Sequence, residues 1–400
     1  MGRVGTKAMK IRILNLFRIS CLGFSIFLFG CGPGYIIEQI KKAVDDDDSA
    51  GSLSLNPQEN VYVAASFFTD PVGSIATVGL NNPHPVQKAL AITDSSDVVV
   101  KSYDGKLFVI NRGNVSTIQV IDPQSFAILG NYSSGESANP QDLVVANGKA
   151  FITRLDSQLD PDNKDDLWVV EPLSGKKLAS LDLKSYTTDD GDRLARAAKM
   201  ALAGDTLYVL CQDLSKNFEA TTNGKVVVVD TKTDTILQSI PLVGRNPTDI
   251  AYHTTSNRLL ITDTGVFDSS FNNDTSTPYG GIEVIDVATK LSLGILIDDA
   301  NFSGYVSTLR FVSDNLGVIT VNASRIASFN PTTPGVGNTN LYTSPGGFLS
   351  DLLVDQNGLL WVPERNPVNT GTFIMDPNTG AMMAGPLGVG ALPTSLTLIK

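Results

Sequence analysis

Two kinds of apolar run alternate along this chain in a fixed order. Leu107-Phe-Val-Ile-Asn111 is followed by Ile118-Gln-Val-Ile-Asp122. The second run recurs as Leu167-Trp-Val-Val-Glu171, Val226-Val-Val-Val-Asp230, Ile282-Glu-Val-Ile-Asp286, Ile326-Ala-Ser-Phe-Asn330 and Thr372-Phe-Ile-Met-Asp376, with a degenerate copy at Ile75-Ala-Thr-Val-Gly79. Successive copies start 43 to 59 residues apart, the length of a four-stranded blade with variable loops. The pattern predicts an all-β fold, a seven-bladed β-propeller, with strands a to d in each blade running from the axis outward.

Six blades follow one another from Asp97 onward, and the seventh is split between the ends of the chain. Thr394 to Ile399 reads as an inner strand with nothing after it. Asn60 to Phe68, Ser74 to Val78 and Gln87 to Thr93 read as three strands with no inner strand before them. Pairing the two ends closes the ring and leaves no open sheet edge. In blade 5 the outer strand is expected near Asn338 to Tyr342. In blade 6 the inner strand is expected over Asp351 to Asp355.

Between strands c and d the sequence writes Asp122-Pro-Gln-Ser, Asp230-Thr-Lys-Thr, Asp286-Val-Ala-Thr and Asp376-Pro-Asn-Thr. Each aspartate can accept backbone N–H groups two residues on, so the set reads as turn formers rather than as catalytic carboxylates.

The second strands carry Phe108-Val-Ile-Asn111, Phe151-Ile-Thr-Arg154, Tyr208-Val-Leu-Cys211, Leu260-Ile-Thr-Asp263 and Val318-Ile-Thr-Val321. Asn139-Pro-Gln-Asp142 and Asn246-Pro-Thr-Asp249 mark the entry to the inner strand. Over residues 60 to 400 this resembles the YVTN-type β-propeller repeat family. That family includes surface proteins, periplasmic binders and a few enzymes, so the resemblance implies a fold and not an activity.

The first thirty residues have a different character. Arg3, Lys7, Lys10, Arg12 and Arg18 precede a short apolar stretch ending in Leu28-Phe29-Gly30-Cys31, with no acidic residue before Glu38. This is the layout of a secretory leader. The last four residues resemble the bacterial lipobox. The resemblance implies cleavage after Gly30, lipidation of Cys31 and, with Gly32 following, an address at the outer membrane of a Gram-negative cell. The expected organisation is therefore a lipoprotein signal peptide over 1–30, a flexible tether over 31–56 and the propeller over 57–400. Several acyl chains would make the anchoring stable.

Loss of the five basic residues of the leader takes the net charge from −11 to about −16, a surface that repels phosphate. Nucleic acid is not an expected partner. Of the three cysteines, Cys21 leaves with the leader and Cys31 is lipidated, so Cys211 is expected as a buried small hydrophobe.

Enzyme signatures are sparse. Two histidines, His84 and His253, fall in different blades, and no Gly-x-Ser-x-Gly, His-Glu-x-x-His or P-loop occurs. No catalytic residue is assigned. The b–c loops of blades 2, 3 and 4 are long (Leu155 to Asp166, Asp213 to Gly224, Thr264 to Gly280) and rise on one face, where long loops commonly carry function. At the inner-strand entries, aligning the blades places Asp97, Asp142, Lys199, Asp249 and Asp351, with Thr308 and Ser395, around the axial rim as ligand-binding candidates. The plainer expectation is that each aspartate caps its own turn. Asp160, Asp162 and Asp166 lie in a dense acidic loop that could hold Ca²⁺, although it lacks the glycine and glutamate of an EF-hand.

The expected function is that of a monomeric, envelope-anchored binding or scaffold lipoprotein whose long-loop face holds a protein, peptide or glycan. Its only membrane contact is the lipid anchor. The alternative resembles the gluconolactonase propellers, a Ca²⁺-dependent hydrolase with an axial metal.

Overall fold

The computed structural model describes residues 56–399 except 68, 188–192, 268–272 and 347. The expected leader, Cys31 and nearly all of the tether lie outside the described residues.

Among the described residues, seven four-stranded antiparallel sheets are present. Blade 1 is Val98–Tyr103, Lys106–Asn111, Thr117–Ile121 and Ile128–Ser133. Blade 2 is Pro140–Ala146, Lys149–Arg154, Leu167–Val170 and Lys177–Leu181. Blade 3 is Ala197–Ala203, Thr206–Cys211, Lys225–Asp230 and Thr235–Pro241. Blade 4 is Pro247–His253, Arg258–Thr264, Gly280–Asp286 and Leu291–Asp298. Blade 5 is Val306–Ser313, Leu316–Val321, Arg325–Phe329 and Tyr342–Thr343. Blade 6 is Leu353–Val354, Leu360–Glu364, Gly371–Met375 and Met382–Leu387.

Blade 7 joins the two ends of the chain. Its inner strand Leu392–Leu398 pairs with Asn60–Ser66, setting Val61 opposite Leu398 and Ser66 opposite Leu392, and Ser74–Gly79 and Val86–Ile92 complete the sheet. The ring therefore closes by strand pairing, as the repeat pattern predicts.

The solid apolar runs of strands b and c have a direct cause. Side chains alternate between the two faces of a strand, and in a propeller both faces of a blade are covered by neighbours. In strand b of blade 3, Leu207, Val209 and Cys211 pack with Phe151, Leu167 and Val169 of blade 2. Tyr208 and Leu210 on the other face pack with Leu259, Ile261 and Ile285 of blade 4. The core is thus divided into seven slabs, one at each blade boundary. Each fully buried Val, Leu or Ile contributes about 1.5–3 kcal/mol. Outer strands have only one covered face, and Ile128–Ser133 accordingly alternates between exposed and half-buried positions.

Most strand limits lie within two residues of expectation, and two strands are markedly shorter than expected. In blade 5, the outer strand is reduced to Tyr342–Thr343. Upstream, Gly337 and Asn338 still bond across to Ser328, but Pro331 and Pro334 lack the N–H a ladder needs. In blade 6, the inner strand is only Leu353–Val354, because the Asp355 carboxylate accepts from the N–H groups of Asn357 and Leu359 and turns the chain early. A two-stranded ribbon, Arg193–Leu194 with Leu214–Ser215, was not expected and begins the long loop of blade 3.

Candidate functional site

The inner strands carry one polar tier around the axis. Asp142 accepts from the N–H of its neighbour Leu143 at 3.0 Å and from that of Met200, in blade 3, at 2.9 Å. Asp249 does the same for Ile250 at 3.0 Å and Leu309 of blade 5 at 3.1 Å. Asp351 does so for Leu352 at 2.8 Å and Leu396 of blade 7 at 3.1 Å. The Ser395 hydroxyl then takes the N–H of Val100 in blade 1 at 3.3 Å. Three carboxylates and one hydroxyl thereby serve the equivalent N–H in all seven blades. The inner strands of blades 2, 4 and 5 bulge where they receive or send these bonds, and such bulges aim side chains. The expectation that each aspartate only caps its own turn is corrected, since each one also clasps the next blade.

Cations complete the tier. Lys101 Nζ lies 3.0 Å from Asp142 Oδ1. Arg310 reaches both Asp249, at 2.7 Å, and Asp351, at 2.6 Å. Going round the ring, blades 1 to 6 present Lys101, Asp142, Lys199, Asp249, Arg310 and Asp351, alternating in sign, and blade 7 presents neutral Ser395. Burial works against the charge on Lys101 and Arg310, but the facing carboxylates win and hold both pKa values above the ordinary range. Among the described residues Lys199 makes no hydrogen bond or ion pair with protein. Desolvation holds its pKa below the usual lysine value, opposed by Asp142 and Asp249 and reinforced by Lys101 and Arg112.

Lys101 and Arg310 escaped the sequence reading, though a signal existed. Both stand two residues after the aspartate position, on the same strand face, in the blades whose own residue there is Val99 or Thr308. Asp97 is corrected in register: Val100 pairs with Val109 as Leu143 pairs with Ile152, so Val99 and not Asp97 matches Asp142. Asp97 instead accepts from Arg112 Nε at 2.9 Å, above the tier.

The long b–c loops form a wall held by arginines. In blade 2 the fully buried Arg154 stacks on Trp168 at 4.1 Å, donates to Ser134 O at 2.7 Å and Asn163 O at 3.0 Å, and pairs with Asp160. Arg196, just before blade 3, pairs with Asp156 of the blade 2 loop and lies 3.8 Å over the Phe218 ring of the blade 3 loop. Arg245, just before blade 4, stacks on Tyr279 of the blade 4 loop at 3.7 Å and donates to Asn223 of the blade 3 loop at 3.2 Å. The loops are thus tied in sequence, 2 to 3 to 4.

The three candidate carboxylates of the acidic loop have different partners. Asp160 is taken by the Arg154 guanidinium, and Asp166 accepts from Ser157 Oγ at 2.7 Å and Leu183 N–H at 2.9 Å. Asp162 lies exposed and gives its N–H to Asp160 Oδ1 at 3.0 Å. Among the described residues, no three of His, Cys, Asp or Glu gather as a metal site. Burial raises the Asp166 pKa to about 6 and, helped by the Asp298 charge, that of Asp299 to about 6.

Near the start of the blade 4 loop, Asp263 is fully buried and meets no donor. Burial, then the adjacent Glu283 charge, pushes its pKa well above the usual range, which favours the protonated acid beside Glu283. Glu283 is solvated by the N–H of Val243 at 2.9 Å and of Gly244 at 2.8 Å.

The other candidates are placed simply. The c–d aspartates build their turns: Asp122 accepts from Ser125 N–H at 2.7 Å and Asp286 from Thr289 N–H at 2.7 Å. His253 is buried, bonds Ser256 Oγ at 2.8 Å and meets Phe311 edge-on. Cys211 is a buried free thiol whose pKa burial pushes up.

Comparison with known proteins agrees with this architecture. No family model matches the sequence, and no curated protein does. Among solved structures, the dihydro-heme d1 dehydrogenase NirN in complex with DHE superposes with TM-score 0.51 at 14% identity, over 88% of this chain and 77% of that one. Kuenenia stuttgartiensis hydrazine synthase gives TM-score 0.50 at 14% identity, over 70% of this chain and 76% of that one. BamB from Moraxella catarrhalis is a looser likeness, with TM-score 0.43 at 12% identity over 77% and 79%. For the first two, at 14% identity, the likeness extends to the fold alone.

Proposed function

We propose that this protein is a non-catalytic binding or scaffold module of the bacterial envelope, which holds a protein, peptide or glycan on the wall formed by the b–c loops of blades 2 to 4. The observation that carries this reading is the arginine tie from loop to loop through Arg196 and Arg245. Loops ordered in advance lose less entropy on binding. Leu159 stands 52% exposed on the same wall, as an apolar contact would.

In this reading the chain is a member of the YVTN-type repeat family and a lipoprotein. It is cleaved after Gly30, lipidated on Cys31 and tethered through residues 31–56 to the outer membrane as a monomer. The axial carboxylates support binding over hydrolysis, because Asp142, Asp249 and Asp351 already accept from two backbone N–H groups each, and a lactonase-type Ca²⁺ would have to displace them.

The test is site-specific photocrosslinking in cells, with the probe at Leu159 or Lys216 on the wall and at Lys232 on the opposite face. Adducts from the wall positions alone are expected. Adducts from Lys232 only, or from none of the three, would overturn the reading. Radiolabelled palmitate incorporation lost in Cys31→Ser tests the anchor separately.

A further inference from the structure

We propose that the axis of the propeller binds a small anion, a carboxylate or phosphate group, on the Lys199 ammonium. This goes beyond the wall reading and uses a different part of the molecule. An ammonium offers three donors, and a buried charge without partners is costly. Its neighbouring carboxylates act on it through space but accept no hydrogen bond from it. Asp142 is occupied by Lys101 and two N–H groups, and Asp249 by Arg310 and two N–H groups. Each carboxylate is thus solvated by its own blade pair, and Lys199 is the member of the belt left without a partner.

The site is open from the axis. Lys199 is partly exposed, and the side chains of Lys101 and Arg310 beside it are each 32% exposed. The charged groups facing it are Lys101, Arg112, Asp142 and Asp249. A chain of net charge −11 offers anions no general attraction, so a site for one must be local; here three cations alternate with three carboxylates, and Lys101 and Arg310 are ion-paired while Lys199 is not.

A bound anion restores what desolvation takes from the ammonium, so the amine should take up a proton on binding at alkaline pH. The test is titration calorimetry of the full chain with inorganic phosphate and with succinate, in buffers of different ionisation enthalpy. Saturable binding of at least one probe is expected, with proton uptake at alkaline pH. Preference between the two probes tells a phosphate-bearing ligand from a carboxylate. Lys199→Thr, the residue blade 5 carries at this position, should weaken binding about tenfold or more, and Lys199→Arg should retain it. In the unaltered protein the better probe should also slow reductive methylation of Lys199 and leave exposed Lys176 unaffected. No saturable heat with either probe up to about 50 mM, equal binding by Lys199→Thr, or unchanged methylation of Lys199 would overturn the proposal.

Discussion

Asp142 accepts the backbone N–H of Met200 across the boundary between blades 2 and 3, at 2.9 Å. The same carboxylate accepts from Leu143 in its own blade. One side chain therefore helps set the spacing of two sheets, beside Thr153 Oγ1, which donates to Ala198 O at 2.7 Å across the same boundary, and the apolar slab between the blades. Asp249 and Asp351 repeat the arrangement, and Ser395 passes it across the junction of the chain ends.

Asp249→Ala should cost about 3–5 kcal/mol, because it strands the Ile250 and Leu309 N–H groups and leaves Arg310 with one of its two carboxylates. The drop is read from the urea midpoint. A loss below about 1 kcal/mol would mean that water replaces the clasp without penalty.

Deletion from Leu392 onward removes the inner strand of blade 7 and exposes the Asn60–Ser66 edge. Open edges pair with other chains. Light scattering should show oligomers or aggregate, with a lowered Tm, while a monomer of unchanged Tm would argue against closure by these strands.

Stability should fall as pH rises. A carboxyl whose folded pKa is raised keeps a proton that the unfolded chain has released, so its penalty grows from about pH 4 up to the folded value. Asp166 and Asp299, both raised to about 6, add to the fall between pH 4 and 6. Asp263, raised well above its usual value, adds to the fall. Asp263→Asn removes the ionisation, so denaturation midpoints should fall less steeply with rising pH. An unchanged slope would show that Asp263 is already ionised.

Arg196→Met should loosen two loops at once. Hydrogen exchange is expected to rise in residues 156–166 and 214–223 together, since Arg196 contacts Asp156 and Phe218, with the inner strands unaffected. A rise in only one loop would mean that the wall is not a single tied surface.

The ring was legible because its cause is local. Blades covered on both faces need unbroken apolar runs such as Val226–Asp230, and each c–d turn needs an early side-chain acceptor, which Asp122 or Asp286 supplies. The long loops were legible as gaps in that rhythm. The partners of Arg154, Arg196 and Arg245 were not, because a stacking ring such as Phe218 or Tyr279 sits in a loop whose path no periodicity describes.

The sequence by itself determined the number of blades, the split seventh blade and the turn role of the c–d aspartates, since each is written in short-range pattern. Tertiary structure alone decided what the inner-strand charges do. Asp142 and Lys101 are 41 residues apart in the chain and meet only when blades pack. The backbone N–H groups that share those carboxylates carry no residue signature at all.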